Sequence, residues 1–95
     1  MLNNKQKAYL KALGNKERAI YQIGKDEISD NLIEGINNYL DAHELIKINI
    51  LKSATIGANE AAIVIASRTG ADIVQIIGRT IILYRPSKKG LIDLP

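Results

Sequence analysis

Apolar residues recur along this chain with two different periods, and the switches between them mark out its elements. Residues 3–13 place Tyr9, Leu10 and Leu13 on one helical edge. Lys7 and Lys11 stand one turn apart and share a face. Gly14 follows where helices commonly close on a glycine, so a short first helix is expected to stop there. Residues 19–23, Ala-Ile-Tyr-Gln-Ile, predict a short strand, and Gly24-Lys25-Asp26-Glu27 predicts a turn out of it. Ser29 or Asp30 suits the cap of the next helix. That helix is predicted to end near Ala42, with Leu32, Ile33, Ile36, Tyr39 and Leu40 facing the core.

Period two takes over in residues 44–51. Ile46, Ile48 and Ile50 fall on one face of a second strand, and Leu45, Lys47 and Asn49 on the other. Asn59 is the expected cap of a third helix reaching Arg68, with Gly70 just beyond its end. Ala61, Ala62, Ile65 and Ala66 give that helix a small-residue face able to approach a sheet closely. Residues 72–77 and 81–85 predict two strands joined by a short turn, hence an antiparallel hairpin that Pro86 terminates.

The expected fold class is α/β: element order αβαβαββ, with helices packed on a four-stranded mixed sheet. Two strand-helix-strand crossovers suggest parallel pairing, to which the hairpin adds an antiparallel edge. The hairpin is apolar by both parities, Ile73, Ile77, Ile81 and Leu83 on one and Val74, Ile76, Ile82 and Tyr84 on the other. Both faces of the sheet therefore need a cover, and the first helix is the candidate for the second face. Residues 1–95 read as one domain, without repeats or linkers.

Composition narrows the function. The 46% apolar content supports a modest core without staples, and the absence of cysteine excludes thiolate chemistry and agrees with a reducing compartment. No apolar run reaches the length of a membrane span, and the first seven residues lack a signal-peptide core. A soluble cytoplasmic protein is expected. The net charge of +3 is unevenly spread: residues 1–25 carry +5, residues 26–67 carry −5 and residues 68–95 carry +3. If the two basic ends meet, one face suits an anionic polymer better than a membrane; the competing reading is that these charges solvate helix faces.

Catalysis finds little support. The only histidine, His43, sits at a helix end beside Glu44, and no carboxylate pair lies in an apolar setting that would tune it for acid-base work. Neither a Walker loop nor a dinucleotide fingerprint occurs. No catalytic residue, metal, cofactor or small-molecule substrate is expected. Two segments suit phosphate instead. The Gly24-Lys25 turn puts backbone N–H groups and a lysine before a helix, though Asp26, Glu27 and Asp30 crowd it with opposing charge. The hairpin has Gly78 for its turn, Arg79 on the turn, Arg85 at the end of the returning strand, and Lys88 and Lys89 beyond. Basic residues also protect strand edges from pairing, so this pattern has a purely structural reading too. With four tyrosines and no Phe or Trp, the aromatic stacking pair of an RRM sheet is absent, and binding would rest on backbone and shape.

Five segments together resemble the CRM family (chloroplast RNA splicing and ribosome maturation), specifically its single-domain bacterial YhbY-like group. They are Gln22-Ile23-Gly24-Lys25, residues 43–48, Thr69-Gly70-Ala71, Val74-Gln75-Ile76-Ile77-Gly78 and Ile82-Leu83-Tyr84-Arg85-Pro86, in the family's order across nearly the whole chain. The resemblance implies an RNA-binding fold similar to the C-terminal domain of translation initiation factor three. It also implies association with ribosomal RNA in large-subunit precursors and a part in their maturation. The family's KH-like loop has a glycine at each end; Gly24 and Lys25 match its first half and Glu27 holds the place of the second glycine. The expected RNA contacts are Gly24, Lys25, Gly78, Arg79, Arg85, Lys88 and Lys89, extended by Lys7 and Lys11 if the first helix lies nearby. The alternative is a protein-interaction module that binds a ribosomal protein or a second copy through the acidic middle helix or the sheet face.

Overall fold

A computed structural model describes residues 2–25 and 28–95. The elements are α1 (Asn4–Lys16), β1 (Tyr21–Ile23), α2 (Asp30–His43), β2 (Leu45–Ile50), α3 (Ala58–Thr69), β3 (Asp72–Ile77) and β4 (Thr80–Tyr84). The α/β class and the αβαβαββ order are those expected. The strands form one mixed sheet in the order β1-β2-β4-β3. β1 runs parallel to β2, and β4 lies antiparallel between β2 and β3.

The hairpin is therefore not an addition at the antiparallel edge, as the crossovers suggested. Its second strand is inserted between β2 and β3, so β3 points the same way as β2 without touching it. Burial explains the order. β4 is buried on both faces through Ile81, Ile82, Leu83 and Tyr84, which requires a central place. β3 carries Asp72, Gln75 and an exposed Ile77, which an edge tolerates.

Helix α1 departs from expectation in an informative way. Asn3 accepts from the Gln6 N–H at 2.8 Å and Gln6 returns the bond from the Asn3 N–H at 3.1 Å, a full capping box. The helix then runs through Gly14 to Lys16 instead of ending at the glycine. A Cβ on Gly14 would stand 2.7 Å from Ile82 Cδ1. The glycine marks the closest approach of helix to sheet rather than a stop. Ser29, not Asp30, caps α2 by accepting from the Leu32 N–H at 3.1 Å. Asn59 lies inside α3, whose cap position is held by Gly57 without a side-chain bond; Gly70 ends it at φ 73° as expected.

Two apolar clusters sandwich the sheet. On one face Ile46, Ile48, Ile50, Ile81 and Leu83 pack against α2 and α3 through Ile33, Ile36, Leu40 and Ile65. On the other, Leu45, Val74, Ile82 and Tyr84 receive Leu10 of α1, together with Leu2, Leu13, Ile92 and Leu94. The first helix does cover the second face, and the two chain ends meet there: Gln6 Nε2 donates to the Pro95 carbonyl at 3.3 Å. The parity expected for β3 fails at one point. The register slips between Ile73 and Gln75, so Ile73 and Ile76 both join the α2–α3 core while Val74 turns to α1.

Candidate nucleic-acid interface

The sheet has two chemically different ends. At the first, β1 and β2 finish and β4 begins. The Leu51 N–H donates to the Ile23 carbonyl at 2.8 Å, tying the exit of β1 to the loop after β2. A Cβ on Gly24 would lie 3.4 Å from Ser53 Oγ, so the glycine loop packs on that same segment. The Ile50 N–H donates to the Arg79 carbonyl at 2.7 Å, and Arg79 Nη1 donates to the Leu51 carbonyl at 3.4 Å. The topology thus gathers the Gly24-Lys25 loop, residues 51–53 and the Gly78-Arg79 turn at one place. Lys25, Lys52 and Arg79 are all exposed there. Gly78 holds φ 57° with open space around it, so backbone conformation and not crowding requires the glycine. Asp26 and Glu27, and with them the second half of the KH-like loop, lie outside the described residues.

The second end lies about 14 Å away along β4, four residue rises on. Here Arg85 is committed to the fold. Its guanidinium donates to Asn37 Oδ1 and the Thr69 carbonyl at 2.6 Å each, to the Asn37 carbonyl at 3.0 Å and to Asp41 Oδ1 at 2.7 Å. These bonds join the ends of α2 and α3 to β4. Beside it Glu44 is buried in the left-handed position that closes α2. Its carboxylate accepts from the Ser87 N–H at 2.9 Å and hydroxyl at 2.6 Å, from the Leu91 N–H at 3.1 Å and from the Ile92 N–H at 2.9 Å. Burial alone raises this carboxyl, but the donors outweigh it and bring its pKa from 4.5 down to about 2. Lys88 and Lys89 protrude from the segment that Glu44 anchors, near Asp41.

The basic hairpin expected as one patch is thus divided. Gly78 and Arg79 join Gly24 and Lys25 at the first end, whereas Arg85, Lys88 and Lys89 stand at the second. Lys7 and Lys11 share a stripe with Asn15, which reaches a small cavity on the sheet below the first end. Two residues at or near the first end escaped the sequence reading. Lys52 lies just past β2, and only the parallel pairing of β1 with β2 brings it beside Gly24. Lys47 lines the cavity with Asn15. The role of Glu44 was also hidden, because its donors lie more than forty residues away along the chain. Its visible signal was a glutamate between a helix and an isoleucine-rich strand.

A family model for the CRS1 / YhbY (CRM) domain matches residues 2–85. The chain belongs to the CRM family. "Probable RNA-binding protein YqeI" of Bacillus subtilis is 38% identical to it over 96 residues, covering 100% of both chains. An "RNA-binding protein" of Haemophilus influenzae is 33% identical over 99% of this chain and 95% of its own. The solution structure of SAV1595 from Staphylococcus aureus superposes with a TM-score of 0.83 at 40% identity, covering 100% of each chain. The five CRM segments divide between the two ends: residues 22–25 and 74–78 lead to the open loops, while residues 43–48, 69–71 and 82–86 supply Glu44, the Thr69 carbonyl and Arg85. Among the described residues no group of three or more metal-ligating side chains gathers, and no helix is long and apolar enough to cross a membrane.

Proposed function

We propose that this protein binds RNA without catalysis, docking structured ribosomal RNA of large-subunit precursors during their maturation. One observation carries the reading: Lys25, Lys52 and Arg79 converge from three loops at one end of the sheet. Lysine and arginine side chains on glycine-bearing turns suit the phosphate backbone, which supplies most of the affinity in such complexes. Lys7 and Lys11 extend the contact along α1, and Lys88 and Lys89 form a separate, outlying patch. Arg85 acts through the fold, holding α2, α3 and β4 together. A non-catalytic role agrees with the chemistry present. Glu44 is held ionised far below neutral pH, which unfits it for general acid-base work, and His43 stacks on Tyr39 with ring centroids 4.3 Å apart.

The double substitution Lys25→Ala with Arg79→Ala tests the reading. It is expected to weaken binding to ribosomal RNA fragments and to lower the salt slope by about two phosphates' worth. An unchanged slope overturns the assignment. A second reading rests on a cavity of about 450 Å³ on the opposite flank of α1, where Tyr9, Tyr39 and His43 stand with Glu17 and Asp93. Rings beside carboxylates suit a cationic side chain of a basic ribosomal protein. Sedimentation with large-subunit precursors that survives nuclease digestion favours this protein-binding reading; loss on digestion favours RNA.

A further inference from the structure

The α1-facing side of the sheet is only partly covered. Helix α1 crosses it at Gly14, directly over Ile82, and ends at Lys16. At that crossing and just beyond it two rows of side chains lie across β2, β4 and β3. Strand pairing places Lys47 opposite Ile82 and Ile82 opposite Gln75, then Asn49 opposite Thr80 and Thr80 opposite Ile77. Neighbouring strands are about 4.8 Å apart, so Lys47 and Gln75 face each other across roughly 10 Å. The cavity they border, of about 140 Å³, is shared with Asn15, Thr80 and Ile77. That is about five waters of liquid volume, room for one base but not for a duplex.

Two independent observations mark this cavity as more than a gap under a helix end. Gln75 Oε1 is buried without any hydrogen-bond partner, the only side-chain atom so found among the described residues. A buried carbonyl oxygen of this kind calls for an N–H donor. The second is the irregularity in β3. Counted from Ile73, strict alternation would turn Gln75 into the α2–α3 core; the register slip brings it opposite Ile82 on the open side. Bulges of this kind re-aim side chains beside functional sites. The surroundings are complementary to RNA. Arg79 belongs to the turn between Ile77 and Thr80, so the cavity adjoins the basic end of the sheet. Thr80 donates its hydroxyl proton to Asn49 Oδ1 at 2.9 Å, leaving the Asn49 amide hydrogens and the Thr80 lone pairs available. Ile77, 56% exposed, offers an apolar surface to a base plane.

We propose that this cavity is a base-reading subsite that takes one unpaired adenine of the bound RNA. Gln75 Oε1 accepts from the exocyclic amine while the Gln75 amide nitrogen donates to N7, the two-bond match that a glutamine makes with adenine. Lys47, Asn49 and Thr80 line the approach of the nucleotide. A purine that lacks the exocyclic amine presents N7 but no N–H donor and leaves Oε1 unpaired, whereas a uracil still reaches it through N3–H. The proposal rests on the RNA-binding reading and adds base discrimination to the backbone contacts of Lys25, Lys52 and Arg79.

Binding of equal-length oligoadenylate RNA and RNA of purine riboside, which lacks the exocyclic amine, followed by fluorescence anisotropy, tests it. The unmodified chain is expected to prefer oligoadenylate by about tenfold, the scale of one good two-bond contact. Gln75→Leu removes the preference and leaves the salt slope intact. Thr80→Val, which keeps the strand-compatible shape, reduces the preference, and thermal melts of both variants verify folding. Lys25→Ala with Arg79→Ala weakens both RNAs alike and keeps their ratio. Equal affinity for the two RNAs, or a preference that survives in folded Gln75→Leu, overturns the subsite while the RNA-binding reading stands. Failure of both RNAs and of ribosomal RNA fragments to bind overturns the two together.

Discussion

The two ends of the sheet carry similar residue types and use them in opposite ways. At one, Arg85 and Glu44 direct their charges inwards, where backbone groups and short polar side chains saturate them. At the other, Lys25, Lys52 and Arg79 make few internal bonds among the described residues and are exposed. An arginine in a sequence motif is therefore no guide to whether it touches a ligand. What separates Arg79 from Arg85 is the supply of acceptors. The end of α3 presents the Thr69 carbonyl beside Arg85, and Asn37 and Asp41 of α2 add three more acceptors. Among the described residues the Arg79 guanidinium finds one acceptor, the Leu51 carbonyl. Saturated charges make a clasp, and exposed ones keep the donors that the proposed phosphate contact needs.

The comparison is broken most severely at Glu44. Glu44→Ala leaves three backbone N–H groups and a hydroxyl without their acceptor and releases the C-terminal segment that Ser87, Leu91 and Ile92 anchor. Loss of about 3 kcal/mol is expected, lowering Tm by more than about 10 °C in a calorimetric scan. Arg85→Ala follows, at about 2 kcal/mol, and Arg85→Lys is expected to recover little because an ammonium cannot reproduce the planar fork. If the two ends are independent, neither variant changes the salt slope of RNA binding under conditions where it is folded. Conversely, Lys25→Ala with Arg79→Ala is expected to leave stability within about 0.5 kcal/mol, as surface changes do. A large drop in Tm for that pair would show that the open end is also part of the clasp.

Acid titration gives the most specific contrast. The folded pKa of Glu44 is about 2 against an ordinary 4.5, so the unfolded chain takes up its proton first as pH falls. The stabilisation is complete above pH 4.5 and disappears as pH drops towards 2. Urea midpoints measured across that range are expected to fall in the unmodified chain, and to fall less in Glu44→Gln. Equal pH dependence in the two would remove Glu44 as the source.

The sequence was a good guide to most of the local structure. Helical spacing, the alternation of β2, the stop at Gly70 and the turn at Gly78 depend on residues a few positions apart and appear as expected; of the two caps offered for α2 Ser29 is the one used, and the cap expected at Asn59 is not. Gly14 misled because a glycine that ends a helix and one that lets a helix touch a sheet have the same signature. The second use depends on Ile82, far along the chain. Strict alternation misled at β3 because a bulge shifts register without a residue type that announces it.

By itself, the sequence determined the α/β class, the order of elements, the membership of the CRM family and the presence of basic residues in two glycine-bearing turns. Only the tertiary structure decided which of those residues share a surface. Strand order is set by long-range burial: β4 must be central because both of its faces are apolar. That order brings Gly24, Leu51 and Arg79 together and carries Arg85, Lys88 and Lys89 to the far end. It also lays Gln75 across from Lys47, a pairing that no local pattern contains, because neither residue lies near the other in the chain.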